Sequence, residues 1–352
     1  MPLAQPRYDF ASDNTAGICP VALDAINAAN DERAVSYGED EWTRRLCDRV
    51  REIFETNCDV YVVFNGTAAN ALSLAHLGAP FGSVLCHEHA HIYNDECGAC
   101  EMFGHGAKLI PTPGASGKID LRQIDAALQR QNKLHSHLPR LLSVTQTTEL
   151  GTVYTGDEVR EIAAFTRKRQ LLLHMDGARF ANSVAQLNCA PAELTWRAGV
   201  SALALGGTKN GLAAGELVVF FDRTQSANFD YRAKQAGQLA SKMRFLSAPW
   251  LALLSDGVWL KNAAHANASA RKLADAIRDA GGEIVFPVEG SAVFIRLPDE
   301  NFRKLEKRGW RFYKFLQPDV YRLMCAWSTA DDAIIEFARD FRECCAEVSV
   351  SV

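Results

Sequence analysis

From about residue 45 to residue 222 the chain alternates short apolar runs with longer stretches whose apolar residues recur every three or four positions. The runs DVYVVFN (59–65), SVLC (83–86), AKLIPT (107–112), RLLSVTQ (140–146), QLLLHMD (170–176), VSALALG (200–206) and ELVVFFD (216–222) read as strands buried on both faces. Helical periodicity fills 41–55, 67–77, 121–131, 156–168 and 179–188. In EWTRRLCDRVREIFE it places Trp42, Leu46, Val50, Ile53 and Phe54 on one face. Buried strands separated by helices predict βαβ units and a mostly parallel sheet. Beyond about 250 the rhythm changes to a long alanine-rich helix (AAHANASARKLADAIRDA), strand-like EIVFPV and AVFIRL, and a closing helix, DDAIIEFARDFREC. The pattern predicts an α/β chain in three parts: an N-terminal wrapping segment (1–40), a large α/β domain (41–250) and a smaller α+β C-terminal domain (251–352).

Composition changes this picture only at its edges. Lys+Arg 38 against Asp+Glu 42 leaves a net charge of −4, which argues against a nucleic-acid partner, since a phosphate backbone wants clustered positive charge. No apolar run approaches the ~18 residues that span a bilayer, and the opening MPLAQPRYDF holds no apolar stretch of signal-peptide length. No membrane association and a cytoplasmic location are therefore expected. The 10 cysteines in 352 residues read as reduced thiols rather than as a disulfide scaffold.

Ligands of parallel α/β sheets bind beyond the carboxyl ends of the strands, so the residues just after each apolar run carry the chemistry. Three such ends fit together. In NGTAAN (65–70), Gly66 and Thr67 open a helix whose free N–H groups suit a phosphate, although the same residues serve an ordinary capped helix start. In LLLHMDGAR (171–179), Asp176 ends a strongly apolar strand and needs a cation: a metal, an arginine such as Arg179, or a protonated heterocycle. In ALGGTKNG (204–211), Lys209 is bracketed by glycines after a buried strand; it reads as a nucleophilic amine in a desolvated pocket or as a solvated loop lysine. No GxxxxGK[ST] loop is present, and the G-x-G at Gly104 and Gly106 lacks the third glycine of a dinucleotide site. A phosphate cradle, a carboxylate and an amine at one sheet edge are what pyridoxal phosphate requires.

A rival constellation lies in CHEHAHIYNDECGAC (86–100), which contains H-E-x-x-H as His87, Glu88 and His91. On a helix this spacing makes a zinc site with a general base. Here a strand-like run ends at residue 86, directly before the motif, and Cys97-x-x-Cys100 has no second pair, so no metal is expected. His91 is better suited to stack on a flat cofactor or to move a proton.

These residues match a known pattern. SDNTAG (12–17), YGEDEWT (37–43), FNGTAANAL (64–72), AHIYNDECGA (90–99), TQTTELGTVY (145–154), HMDGARFAN (174–182), GGTKNGLAAGE (206–216), YRAKQAGQLASKMRFLSAPW (231–250) and MCAWST (324–329) carry it over nearly the whole chain. Together they resemble the low-specificity L-threonine aldolases, in particular a bacterial threonine/phenylserine aldolase subgroup. The resemblance implies an aspartate-aminotransferase-like fold (fold type I) and pyridoxal 5'-phosphate as cofactor. It implies that Lys209 holds the cofactor covalently, that Asp176 binds the pyridine nitrogen, and that Gly66 and Thr67 hold the phosphate. His91 is implied to stack on the ring, and Ser12, Arg179 and Arg322 to bind the substrate carboxylate. Arg244 is implied to reach a neighbouring subunit's phosphate and Tyr37 to come from a dimer partner, so a homodimer or homotetramer with sites at the interface is expected.

One departure bears on mechanism. Much of the wider family carries Thr-His-Asn after the fourth strand, where this chain has Thr145-Gln146-Thr147. That leaves His91, directly or through a water, as the expected base, with Gln146 as its hydrogen-bonding neighbour. The implied activity is a carbon–carbon lyase that cleaves L-threonine, L-allo-threonine or phenylserine to glycine and an aldehyde. A β-eliminating lyase or racemase on the same fold is the alternative within the cofactor class, and a zinc hydrolase built on HEHAH the alternative outside it.

Overall fold

A computed structural model describes residues 8–31, 33–130 and 134–346. The chain enters through β1 (Tyr8–Asp9) and then builds a seven-stranded sheet from β2 (Asp59–Val63), β3 (Gly82–His87), β4 (Lys108–Thr112), β5 (Leu138–Thr145), β6 (Leu172–Gly177), β7 (Ala202–Leu205) and β8 (Glu216–Phe220). The order across the sheet is β2-β8-β7-β6-β5-β3-β4. The pairings from β7 to β4 are parallel, whereas β8 runs antiparallel to both its neighbours. Each predicted strand is present. The antiparallel β8 has a consequence the pattern could not reveal: its first residue, Glu216, lies at the edge where the other strands end.

Side chains alternate across a strand, and both faces of this sheet are dry. Leu203, Leu205, Leu217 and Val219 join one buried cluster, while Ala202, Ala204, Val218 and Phe220 join another on the opposite face. That explains why the runs are apolar without a polar alternate. Helix Gly66–Leu77 packs on the second face, and its small residues Ala68, Ala69 and Ala71 are buried there. It also makes a polar contact with the sheet. Ser73 Oγ already donates to the Ala69 or Asn70 carbonyl (2.7 and 3.0 Å), so His174 Nε2–H donates to Ser73 Oγ at 3.0 Å. The Ser143 hydroxyl in turn donates to His174 Nδ1 at 2.9 Å.

The C-terminal part has its own sheet, formed by β9 (Glu283–Ile284), β10 (Ala292–Arg296), β12 (Tyr313–Leu316) and β13 (Val320–Met324) in the order β12-β13-β10-β9, all antiparallel. A separate cluster including Leu273, Ile277, Val293, Ile295, Phe337 and Phe341 fills the space between it and helices Val258–Asp279 and Asp331–Ala346. The N-terminal segment ties the two parts together. β1 pairs in parallel with β11 (Trp310–Arg311), Phe10 sits in the small core, and Cys19 N–H donates to Gly211 O at 2.8 Å in the large part.

Helix Pro20–Asn30 is absent from the sequence pattern, because what it buries is alanine (Ala22, Ala25 and Ala29), which carries little periodic signal. The predicted helix over 121–131 is Leu121–Arg130, and its last position lies outside the described residues, as do the first seven of the chain. Among the described residues no helix is long and apolar enough to cross a membrane.

Burial holds the His174 imidazole neutral and pushes its pKa down from 6.5 to about 4. The unfolded chain takes up that proton near 6.5 and the native one only near 4, so this contribution to stability is complete above pH 6.5 and lost as pH falls to about 4. The loss is on the order of 3 kcal/mol. Urea unfolding across that window should show His174→Asn less stable at neutral pH and with a shallower acid loss; an unchanged slope would refute the assignment.

Candidate active site

A cavity of about 540 Å³ opens where the parallel strands end, and its walls include Ser12, His91, Asp176, Arg179, Lys209 and Arg322. A smaller space of about 300 Å³ shares Gly66, Asn70, His91, Asp176 and Lys209 with it and extends to Thr67 and Glu216. The structure thus brings together residues that are 310 positions apart in the sequence, from Ser12 to Arg322.

Lys209 sits in the turn Thr208–Asn210 after β7. A Cβ on the neighbouring Gly207 would lie 2.4 Å from the Trp250 ring, so only glycine lets the turn fold against that indole. Gly207 N–H donates to Glu216 Oε2 at 2.5 Å, which fixes the turn to the start of β8. Burial lowers the Lys209 pKa and the nearby Arg179 charge lowers it further, against the pull of Asp13, Asp176 and Glu216.

Asp176, near the end of β6, is buried and satisfied on both oxygens. Oδ1 accepts from Ala178 N–H at 2.9 Å and Oδ2 from Asn70 Nδ2 at 2.8 Å. The other proton of that amide goes to Glu96 Oε1 at 2.9 Å, and the same oxygen accepts from His91 Nδ1 at 2.9 Å. One chain of hydrogen bonds therefore links Asp176, Asn70, Glu96 and His91. The bond to Glu96 raises the His91 pKa in spite of burial, with the Asp176 charge adding to it. In the neutral imidazole it also places the proton on Nδ1.

Glu149 accepts the His91 backbone N–H on Oε1 at 2.9 Å, while its Oε2 is shielded from solvent and has no hydrogen-bond partner. Burial pushes its carboxyl up to about 7, and the Asp176 charge contributes.

The two arginines differ. Arg179 Nε and Nη2 donate to Asp13 Oδ2 (2.6 Å) and Oδ1 (3.0 Å), a bidentate pair. Burial pushes Asp13 up, but the charge and hydrogen bonds of Arg179 outweigh it and hold the carboxyl below its usual range. Arg179 therefore pairs with Asp13 from the N-terminal segment rather than with Asp176. Arg322, on β13, lies with its guanidinium 4.7 Å from the Tyr313 ring and 4.8 Å from the Phe315 ring, and its Nε has no partner. Burial and the Arg179 charge lower its pKa to about 10.

Tyr37 and Arg244 line neither cavity of their own chain. Tyr37 is exposed beneath the Lys234 ammonium (4.6 Å), and Arg244 Nε donates to Ala29 O at 3.0 Å. The expectation for Gln146 is corrected: its amide spans the Tyr154 backbone, donating to the carbonyl at 2.7 Å and accepting from the N–H at 3.0 Å. The residue hydrogen-bonded to His91 is instead Glu149, three positions later. The H-E-x-x-H spacing is not helical either. His87 ends β3, donates from Nε2 to Gly114 O at 3.0 Å and accepts the His89 N–H on Nδ1 at 3.0 Å. Among the described residues no group of three or more His, Cys, Asp or Glu is placed to hold a metal. Sequence reasoning missed Asp13, Asn70, Glu96, Glu149 and Glu216. All five fall within motifs already singled out, but their spacing carries no signal of which way they point.

The beta-eliminating lyase family matches residues 9–300. The low specificity L-threonine aldolase of a Pseudomonas species is 50% identical over 342 residues, which cover 97% of this chain and 99% of that protein. Its Escherichia coli K12 counterpart is 27% identical, covering 83% and 85%. Among solved structures, Leishmania major threonine aldolase superposes with a TM-score of 0.90 at 25% identity, covering 96% of this chain and 99% of that one. The expected aspartate-aminotransferase-like fold, pyridoxal-phosphate fold type I, is the one observed. By sequence and by fold, the chain belongs to the beta-eliminating lyase family, among the low-specificity L-threonine aldolases.

Proposed function

We propose that this chain is a lyase that cleaves β-hydroxy-α-amino acids, L-threonine among them, to glycine and an aldehyde, with pyridoxal 5'-phosphate at Lys209. The observation that carries the reading is the meeting, in one cavity, of a buried amine, an oriented carboxylate and a guanidinium with an unpartnered nitrogen. The residues fit the cofactor. At the start of helix Gly66–Leu77 the Asn65 side chain takes the Ala68 N–H at 2.9 Å, and the N–H groups of Gly66 and Thr67 precede any intrahelical acceptor. A Cβ at Gly66 would meet nothing within 4 Å, so the space before this helix end is open to a phosphate. Asp176 would face the pyridine nitrogen, and His91 offers a flat ring held by Glu96.

When bound, the cofactor withdraws electron density from the bonds at the substrate Cα. The remaining task is orientation, and that belongs to the protein. Asp13 already occupies two donors of Arg179, so the substrate carboxylate is drawn first to Arg322, with Ser12 on the same wall. Fixing the carboxylate fixes which bond at Cα stands in position to break. Tyr37 and Arg244 lie outside their own chain's cavity, which supports their serving a neighbouring copy in a homodimer or homotetramer.

Lys209→Ala should abolish both aldehyde release from L-threonine and the borohydride-reducible yellow chromophore; persistence of both would overturn the reading. Release of a keto acid and ammonia in place of glycine would assign the chain to β-elimination instead. Arg322→Ala should leave the chromophore intact and raise KM for L-threonine about 10- to 100-fold, the value of a charge-assisted hydrogen bond. An unchanged KM would move the carboxylate to Arg179.

A further inference from the structure

We infer that Glu149 is the catalytic residue that takes the proton from the substrate β-hydroxyl, the role for which the sequence had pointed to His91. The inference rests on the lyase reading above. Glu149 lines the same cavity as Lys209, Asp176 and Arg322. Its two oxygens are unlike. Oε1 is tied down by the His91 N–H at 2.9 Å, which fixes the side chain, while Oε2 is enclosed by protein, with the Thr145 hydroxyl beside the carboxyl. A half-buried carboxylate held in this way at a cavity wall is placed to receive a hydroxyl proton from what the cavity holds. The residue also sits three positions after Gln146, in the segment where the wider family's histidine is missing.

His91 is less fit for the task. Its Nδ1 is hydrogen-bonded to Glu96, and that contact favours the imidazolium, which has no lone pair to offer. The carboxyl of Glu149, raised to about 7, is poised between its two forms near neutral pH. The groups around it are Asp176, which raises it, Arg179, which shares its field, the backbone N–H of His91, the hydroxyl of Thr145, and the Cys86 thiol and Tyr154 phenol, both held neutral by burial. Burial is the largest cause of the shift and remains when a ligand enters.

The step is balanced. The Glu149 carboxylate accepts the β-hydroxyl proton, the O–H electron pair becomes the second bond of the aldehyde carbonyl, and the Cα–Cβ pair stays on Cα. Cα then takes up one proton and the proton on Glu149 passes to solvent, so nothing is oxidised or reduced.

The test is Glu149→Gln, which keeps an oxygen for the His91 N–H but cannot accept a proton. L-Threonine cleavage should fall ~10²- to 10³-fold and lack the rise in kcat with pH that the parent is expected to show around pH 7. The chromophore and the exchange of glycine's α-proton with D2O should persist, because glycine has no β-hydroxyl. Cleavage within a few-fold of the parent, or an equal loss of exchange and cleavage, would overturn the assignment. A readout independent of turnover is isotope-edited infrared titration, with and without cofactor. The parent should show a protonated carboxyl signal that disappears as pH rises through about 7 and that Glu149→Gln lacks. Absence of that signal in the parent would also overturn it, even if the variant fails to fold. Parent protein that releases no aldehyde from L-threonine would instead defeat the lyase reading itself.

Discussion

Asp176 stands at the buried end of β6, and a carboxylate in such a place must be matched by donors or by a cation. Two donors come from the protein: the Ala178 N–H in the turn that follows, and the Asn70 amide from helix Gly66–Leu77. Satisfying Asp176 through Asn70 fixes that helix against the sheet, and it brings in Glu96 through the second amide proton. Glu96 then orients His91, and the His91 backbone orients Glu149. The charge of Asp176 reaches each of these in turn, raising His91 and Glu149 and opposing the loss of charge on Lys209. The proton-handling properties of the cavity therefore combine burial, the largest cause at Glu149 and Lys209, and the Glu96 bond, the largest at His91, with the charge of Asp176.

The cations are arranged by the same rule. Arg179 stands close enough to depress both Lys209 and Arg322, and three positive charges gathered at one cavity would be unstable without counter-charge. Asp13 supplies it to Arg179, and it does so from the segment whose β1 also pairs with β11 in the C-terminal part. The N-terminal segment is thus more than a wrapping, since it neutralises one arginine and leaves the other for a ligand. Arg322 keeps its place between Tyr313 and Phe315, whose ring faces hold a guanidinium without spending its hydrogen bonds.

Legibility in the sequence followed the strength of the local signal. The seven strands of the large sheet were readable because both faces are buried, which removes polar residues from the runs. Lys209 was readable from its glycines and Asp176 from the cost of ending an apolar strand in a carboxylate. Helix Pro20–Asn30 was not, since its alanines are small enough to leave no amphipathic contrast. Gln146 and Glu149 show the limit most clearly. Both lie in the turn after β5, and only its path decides that the amide of one bridges the Tyr154 backbone while the carboxyl of the other faces the cavity.

By itself, the sequence determined the alternation of strand and helix, the sheet edge at which chemistry would occur, and the lysine, carboxylate and helix start that meet there. Those depend on hydrophobic period and on residue type after a strand, which are local properties. The tertiary structure decided which arginine is paired and which is free, that His87 serves the backbone while His91 serves the cavity, and that Glu149 lines the larger space and Glu216 the smaller one. These depend on contacts between residues far apart in the chain, such as Asp13 with Arg179 and Asn70 with Asp176, and on the antiparallel course of β8. A side chain's partner, and with it the proton it holds, is a property of the folded packing and not of its neighbours in sequence.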